Sequence, residues 1–132
     1  MLVEIDTHSG VPIYRQVIEQ IRCQIMTGQL AEGGQLPTVR DLAAQLKVNP
    51  MTISKAYSLL EIAGLVERRR GVGLFVAKLD RRQKERLCRE MLAGAVKKAA
   101  ITAVQLGVSE EKMQEVLLKL YREYDSKKRR QE

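Results

Sequence analysis

Apolar residues recur every four positions from Ile13 to Ile25, among neighbours that are mostly polar. This spacing predicts an amphipathic helix of about four turns. Pro12 precedes the helix, where a proline suits the first turn, and Gly28 follows it, where a glycine suits the C-terminal cap. Upstream of the helix, residues 2–5 are typical of a short strand or an ordered arm.

Two shorter amphipathic segments follow a glycine-rich loop. Thr38 suits the N-cap of a second helix, because Asp41 stands three residues later as in a capping box. Asn49 and Pro50 then begin a third helix, since asparagine is a favoured N-cap and proline a favoured first residue. The residues expected on its buried side are Ile53, Ala56, Tyr57, Leu60 and Ala63. Two helices separated by a turn of three or four residues form the helix-turn-helix pattern.

Two short stretches with the spacing of β-strands follow Gly64, which closes the third helix. Residues 65–69 and 74–77 are the expected strands, and the tight turn between them contains Gly71 and Gly73. A β-hairpin directly after a helix of this kind is a wing. Residues 1–78 are therefore predicted to form a winged helix-turn-helix DNA-binding domain.

The spacing becomes helical again after Asp80. It predicts one helix of about seven turns up to Gly107 and another that Ser109 caps, with a frayed basic run at 127–130. Because about 50 residues of two-helix hairpin cannot bury two apolar stripes alone, residues 79–132 are predicted to be a helical dimerisation segment with a basic C-terminal tail. The residues expected at the dimer interface are Leu87, Met91, Ala95, Ala99, Met113, Leu117, Leu120, Tyr121 and Tyr124. The predicted fold is mainly α with a small β-hairpin wing.

The formal net charge of +7 favours a polyanionic partner, with nucleic acid ahead of an anionic membrane. Most of the excess lies outside the predicted DNA-binding domain, since residues 1–78 carry nine Lys or Arg and seven acidic residues, whereas residues 79–132 carry 14 and nine. The N-terminus lacks the basic start and apolar run of a signal peptide, and no stretch approaches the ~20 apolar residues of a membrane span. We therefore expect a cytoplasmic protein without a membrane partner.

The sequence offers no candidate chemistry for catalysis. His8 is the one histidine, and no paired carboxylates, Ser/His arrangement or metal-ligand cluster appears. Cys23 and Cys88 lack metal-ligand spacing, and we expect both to be small buried thiols. The sequence thus predicts neither an enzyme nor a cofactor or metal.

The polar side of the third helix carries the residues that indicate DNA recognition. Asn49, Thr52, Ser54 and Lys55 are short or cationic, and no acidic residue occurs between Asn49 and Leu60. Short side chains let a helix approach a major groove closely, and Asn, Ser and Thr reach base edges or phosphates. An ordinary solvated face carries more Glu and Lys, so this face favours contact with double-stranded DNA.

Two further groups of residues complete the predicted DNA-contact surface. Arg40 stands in the first turn of the second helix, which Thr38 caps, where a phosphate or a guanine is a suitable partner. Arg70 ends a run of three arginines, whose side chains alternate on a strand, so all three cannot face DNA. Gly71 and Gly73 allow a close approach of the wing backbone. The alternatives are an ion pair of Arg40 with a nearby acid and a solvated hairpin tip.

The sequence resembles the GntR family of bacterial regulators in five blocks that agree in order and spacing: IYRQ at 13–16, LPTVRDLA at 36–43, NPMTISKAY at 49–57, GLV at 64–66 and GVGLFV at 71–76. The resemblance covers about residues 10–78, and the short tail with two predicted helices is similar to the YtrA subfamily. It implies an operator-binding dimer, usually a repressor. The DNA contacts that it implies are Arg40, Asn49, Thr52, Ser54, Lys55 and the wing around Arg70 and Gly71.

The chain departs from the family pattern at Val39 and Met51, where relatives commonly have Glu and a polar residue.

The predicted function is binding of an inverted-repeat operator by a homodimer, because a two-fold dimer places two recognition helices about one turn of B-DNA apart. The open alternatives are a winged-helix module that binds protein and an architectural DNA protein without sequence preference. No polar cluster identifies a small-molecule effector, and control by such an effector or by the protein's own concentration stays open.

Overall fold

The computed structural model describes residues 1–131, which contain five α-helices and one two-stranded antiparallel sheet. In chain order the elements are α1 (Ile13–Thr27), α2 (Val39–Leu46), α3 (Pro50–Ile62), β1 (Val66–Arg69), β2 (Gly73–Val76), α4 (Arg81–Gln105) and α5 (Glu110–Gln131). The predicted fold class, a winged helix-turn-helix followed by two C-terminal helices, is confirmed. The chain divides into two compact units, Met1–Glu85 and the segment from Arg86 onward.

The first unit is built around α3, which packs against α1 and α2. Ile21 of α1, Leu42 of α2, and Ile53 and Leu60 of α3 are fully buried. Burial of an aliphatic side chain of this size stabilises a fold by about 1.5–3 kcal/mol. Because these side chains come from all three helices, their packing holds α3 in a fixed orientation and leaves its opposite side free.

Side chains cap both helices of the helix-turn-helix, as the sequence predicts. Thr38 Oγ1 accepts a hydrogen bond from the Asp41 N–H at 3.0 Å, and Asn49 Oδ1 accepts one from the Met51 N–H at 2.9 Å. Between the two helices, Lys47 has the left-handed φ of 57°. This conformation ends α2 and turns the chain into α3 within three residues.

The wing is an antiparallel hairpin of β1 and β2, in which Val66 lies opposite Val76. Residues 33–36 extend along the other edge of β2, where the Leu36 N–H donates to the Leu74 carbonyl oxygen at 2.9 Å. The sequence predicts a loop for these residues and does not indicate the pairing. Because the segment leads directly into the cap of α2, one stretch of backbone joins α2 to the wing.

The N-terminal residues form an ordered arm, the second of the two predicted alternatives. Gln20 exchanges two hydrogen bonds with the backbone of Glu4, at 2.9 and 2.6 Å, and Gln24 donates one to the Leu2 carbonyl oxygen at 2.5 Å. Val3 is buried. Glutamines one turn apart on α1 therefore hold the arm along that helix.

The two C-terminal helices begin with the predicted caps. Asp80 and Gln83 form a capping box, in which each side chain accepts the other's backbone N–H, at 2.8 and 2.9 Å. Ser109 caps α5 by accepting a first-turn N–H at 3.1 Å. Within the described part of the chain, Ala103 is the one buried residue of α4, and α5 has none. Both helices therefore expose most of their apolar side chains.

The basic run at 127–130, predicted to be frayed, belongs to α5, so that prediction is wrong. Lys127 lies 3.4 Å from Glu123, and Arg129 lies 3.5 Å from Asp125. Ion pairs at this helical spacing, and basic residues beside the negative end of the helix dipole, favour continuation of the helix.

Three residues predicted to be buried are exposed. Cys23 is exposed because it lies about 200° round α1 from both Ile21 and Ile25, which face the core. Cys88 is exposed because it lies on α4, which buries little of its surface. Ala63 is exposed because it follows the last residue of α3 instead of continuing its buried side.

Candidate nucleic-acid interface

The side of α3 that faces away from the core carries residues predicted to contact DNA. Successive residues of an α-helix are about 100° apart, so Ser54, Lys55 and Ser58 share one side, opposite the buried Ile53. These three are exposed, and Thr52, at the border of the exposed side, is half-buried. The structure therefore presents the predicted surface to the outside. The first acidic residue on this side is Glu61, which is half-buried and paired with Arg68.

The hydroxyls of this surface have no partner within the described residues. The side-chain hydrogen bonds of α3 and its cap come from Asn49, Tyr57 and Glu61, as far as residues 1–131 show. Ser54 and Ser58 can therefore bond to an external group without breaking an internal bond. Asn49 uses its Oδ1 to cap the helix, which leaves its amide N–H groups as donors.

Lys55 is held against an aromatic ring of α1. Its Nζ lies 4.0 Å from the centroid of the Tyr14 ring, a cation–π geometry. Tyr14 lies in the first turn of α1 and is half-buried, whereas Lys55 is exposed. The contact restricts the Lys55 side chain and so lowers the conformational entropy that it would lose on binding a phosphate.

Tyr57 connects α3 to the start of α2. Its hydroxyl donates a 2.8 Å hydrogen bond to the carbonyl oxygen of Pro37. Burial raises the pKa of Tyr57 well above its usual range, so the phenol remains protonated and able to donate. The bond fixes α3 relative to the residue that precedes the Thr38 cap.

The start of α2 presents Thr38 and Arg40, which are both exposed. Thr38 uses its hydroxyl oxygen to cap the helix. Arg40 makes no ion pair within residues 1–131, so the alternative of a pair with a nearby acid is not what the structure shows. Its guanidinium is available to a phosphate or a base.

The three arginines of the wing differ in their contacts. Arg68 forms a 3.2 Å ion pair with Glu61 of α3. Arg69 lies over the ring of Phe75, with its guanidinium carbon 4.0 Å from the centroid. Arg70, at the exposed turn, makes neither kind of contact within residues 1–131. Arg70 is therefore the arginine of this run that is free to bind an external anion.

Glycine is required at the two positions of the wing turn for different structural reasons. Gly71 has φ 76° in a turn closed by the Val72 N–H, which donates to the Arg69 carbonyl oxygen at 3.0 Å. Gly73 has φ 143°, and a Cβ there would lie 2.9 Å from Gln35 Nε2. Gln35 in turn donates to the Val72 carbonyl oxygen at 3.1 Å. The close approach at Gly73 is thus to this chain's own Gln35.

Tyr14 and Gln35, which support Lys55 and the wing turn, are not among the site residues predicted from the sequence. No local sequence pattern indicates the role of either residue, because each contacts a residue in a distant element. Tyr14 lies beside the apolar stripe of α1, which is the position of an ordinary half-buried residue. Gln35 lies in the glycine-rich loop, whose pairing with β2 depends on the tertiary fold.

The comparisons with known proteins agree with this geometry. Residues 13–76 match the model of the bacterial regulatory proteins of the gntR family. The chain is 42% identical over 110 residues to the uncharacterized HTH-type transcriptional regulator YhcF of Bacillus subtilis (strain 168), covering 81% of this chain and 88% of that protein. It is 35% identical over 114 residues to the HTH-type transcriptional repressor YtrA of the same organism, covering 86% and 88%.

Two solved structures extend the similarity to three dimensions. A GntR family transcriptional regulator from Listeria monocytogenes has a TM-score of 0.72 at 32% identity, covering 87% of this chain and 98% of that one. The DNA-binding domain of AraR, in complex with operator ORX1, has a TM-score of 0.51 at 32% identity, covering 58% and 96%.

Fold and interface together define a DNA-binding transcriptional regulator of the winged helix-turn-helix class. The chain belongs to the GntR family of bacterial regulatory proteins, which is a family of regulators and not of enzymes. Within residues 1–131, no helix has the length and apolar character needed to span a membrane. The same residues contain no group of three His, Cys, Asp or Glu side chains placed to hold a metal ion.

Proposed function

We propose that the protein is a repressor that binds an inverted-repeat operator as a homodimer. The observation that carries this proposal is the exposed side of α3, which has no acidic residue from Asn49 to Leu60, has unpartnered hydroxyls at Ser54 and Ser58, and has Lys55 held on Tyr14. Such a surface enters a major groove without repulsion from the phosphates. The similarity to YtrA, whose name describes a repressor, supports repression over activation.

We assign base contacts to Asn49, Thr52 and Ser54. Their short polar groups lie at the cap and in the first two turns of α3, and the N-terminal residues of a recognition helix contact base edges. We assign a phosphate contact to Lys55, whose ammonium group is a compact point charge on a flexible stem. Base contacts give sequence preference, and phosphate contacts fix the position of the helix on the duplex.

We assign the flanking DNA contacts to Thr38 and Arg40 at the start of α2 and to Arg70, Gly71 and Gly73 in the wing turn. Arg40 and Arg70 support this assignment most strongly, because both are exposed and neither is engaged in an ion pair within residues 1–131. The Thr38 side chain caps α2 and so fixes the first-turn N–H groups that favour a phosphate.

We further propose that residues 1–78 are the DNA-binding domain and that residues 79–132 hold two copies together. Most of the large hydrophobic side chains exposed in residues 1–131 lie from Arg86 onward. One side of α5 bounds a shallow groove open to solvent, lined by Leu117, Leu120, Tyr121, Tyr124, Asp125 and Lys128. A second copy suits this surface, because a two-fold axis lets Asp125 of each chain meet Lys128 of the other.

The residues assigned to the dimer interface are Leu87, Met91, Ala95, Ala99, Met113, Leu117, Leu120, Tyr121 and Tyr124, which are all exposed or half-buried in this chain. Further exposed apolar residues of α4, which the sequence analysis did not assign, are Leu92, Val96, Ile101 and Val104. An apolar surface of this extent is uncommon in a protein that remains monomeric. Binding of the dimer over a promoter would exclude the polymerase.

The test uses the full chain and duplexes that it selects from random-sequence DNA. Light scattering measures the mass of the free protein and of the complex, and fluorescence anisotropy compares the selected duplex with a scrambled one at a fixed salt concentration. We expect an inverted repeat, two chains per duplex and a preference of about 10³ or more. Equal affinity for the two duplexes would instead indicate an architectural protein.

A separate variant tests the proposed dimer interface. Leu120→Asp places a charge in the apolar groove, so we expect monomers and a loss of operator binding. Ser126→Asp is the matched control, because it adds the same charge on the opposite side of α5 and should remain dimeric. A dimer that persists with Leu120→Asp would contradict the assigned interface.

A further inference from the structure

Met51 is a large apolar side chain on the exposed side of α3, and 78% of it is accessible. At about 100° per residue, it lies between the directions of Ser54 and Lys55 and one turn before them. Single exposed apolar residues are common on protein surfaces and need no explanation by themselves. The position of Met51 on α3 is what distinguishes it from such residues.

Met51 is the second residue of α3, and its position is fixed. Its N–H donates to Asn49 Oδ1 at 2.9 Å, so the cap holds the backbone from which the side chain projects. The N-terminal residues of a recognition helix are those that contact base edges. Met51 thus stands among the proposed base contacts, yet its side chain offers no strong hydrogen-bonding group.

The major groove contains one apolar group that such a side chain can contact, the 5-methyl group of thymine. Methionine is unbranched and flexible, so it adapts to a methyl group at varying depth. As an extension of the proposed operator binding, we propose that Met51 contacts the 5-methyl group of one thymine in each half-site. Met51 is then a specificity-determining residue that selects T at that position.

The experiment replaces each thymine of the selected operator in turn by uracil, which removes the methyl group and keeps the base-pairing groups. At one position in each half-site, we expect the wild-type protein to bind about fourfold more weakly, the effect of one buried methyl group. Met51→Ala should bind the dT and dU duplexes equally at that position. Met51→Leu, which keeps an apolar side chain of similar size, should retain the discrimination.

Ile62→Ala is the matched control. Ile62 is 82% exposed on the same side of α3, but it lies about 16 Å further along the helix axis than Met51. Its removal tests whether any exposed apolar side chain on this surface changes the response to the methyl group. We expect Ile62→Ala to discriminate dT from dU as the wild-type protein does.

Two results would overturn the proposal for Met51 alone. One is a wild-type protein that prefers its operator to a scrambled duplex but responds to no dT-to-dU change. The other is a Met51→Ala variant that still discriminates dT from dU at the sensitive position. A wild-type protein with no preference for its operator would overturn the proposed function as well, so the two failures are distinguishable.

Discussion

The hydroxyl of Tyr57 donates a 2.8 Å hydrogen bond to the carbonyl oxygen of Pro37, which ties the middle of α3 to the residue before the cap of α2. Residues 33–36, just upstream, carry the backbone hydrogen bonds to β2. One short segment of chain therefore joins the recognition helix, α2 and the wing. The relative positions of the three elements that we assign to DNA depend on this segment.

Tyr57→Phe should lower the free energy of unfolding by about 1 kcal/mol, because it removes the donor and leaves the Pro37 carbonyl oxygen without its partner. Urea denaturation monitored by circular dichroism measures the change. Tyr14→Phe is the control, since it keeps the ring and removes a hydroxyl that makes no hydrogen bond within residues 1–131. Equal stability of Tyr57→Phe and the wild type would show that the bond contributes nothing.

The same tyrosine should make stability sensitive to alkaline pH. Burial raises the pKa of Tyr57, so the folded state favours the protonated phenol more than the unfolded chain does. This contribution is complete below the ordinary tyrosine pKa of about 10 and is lost as the pH rises above it. The free energy of unfolding of the wild type should therefore fall relative to that of Tyr57→Phe above pH ~10. A difference between the two proteins that stays constant across this range would contradict the assignment.

The helix ends could be predicted because they depend on local chemistry. Thr38, Asn49 and Ser109 each accept a hydrogen bond from an N–H within the next three residues, so the cap is visible in a few consecutive residues. The pairing of residues 33–36 with β2 could not be predicted, because it joins segments that are distant in the chain. A glycine-rich loop has no side-chain alternation to indicate such a pairing.

The exposed side of α3 could also be predicted, since helical periodicity separates Ser54 and Lys55 from the buried Ile53. Periodicity did not show that Lys55 rests on Tyr14, because that contact depends on how α1 and α3 pack. The prediction that Cys23 is buried was wrong for a different reason. The residue type favours a buried site, whereas its position on α1 faces away from the core.

Lys55→Ala should reduce the slope of log affinity against log salt concentration by about two for the dimer, the effect of losing one phosphate contact in each half-site. Tyr14→Leu should weaken binding of the selected and scrambled duplexes alike, because it frees the Lys55 ammonium group from the ring. Tyr14→Phe keeps the ring and should bind as the wild type does. An unchanged salt slope for Lys55→Ala would place Lys55 away from the phosphates.

Glu61→Gln should increase affinity for random-sequence DNA. Glu61 holds Arg68 in a 3.2 Å ion pair, so its neutralisation releases a cation near the turn of the wing. Titrations at several salt concentrations should show a slope steeper by up to about two, since the dimer contains two copies of Arg68. Because both side chains are substantially exposed, the cost to stability should stay below about 1 kcal/mol. Unchanged affinity and slope would mean that Arg68 lies beyond reach of the duplex.

Base recognition by α3 is tested most directly by the ratio of affinities for the selected inverted repeat and a scrambled duplex, measured by fluorescence anisotropy at one salt concentration. Ser54→Ala and Thr52→Ala should each weaken operator binding by about 0.5–1.5 kcal/mol per half-site, the contribution of a hydrogen bond, and leave binding to the scrambled duplex unchanged. Ser126→Ala, on α5, should leave both affinities unchanged. A ratio that stays at the wild-type value when Ser54 and Thr52 are both replaced would contradict base recognition by this surface.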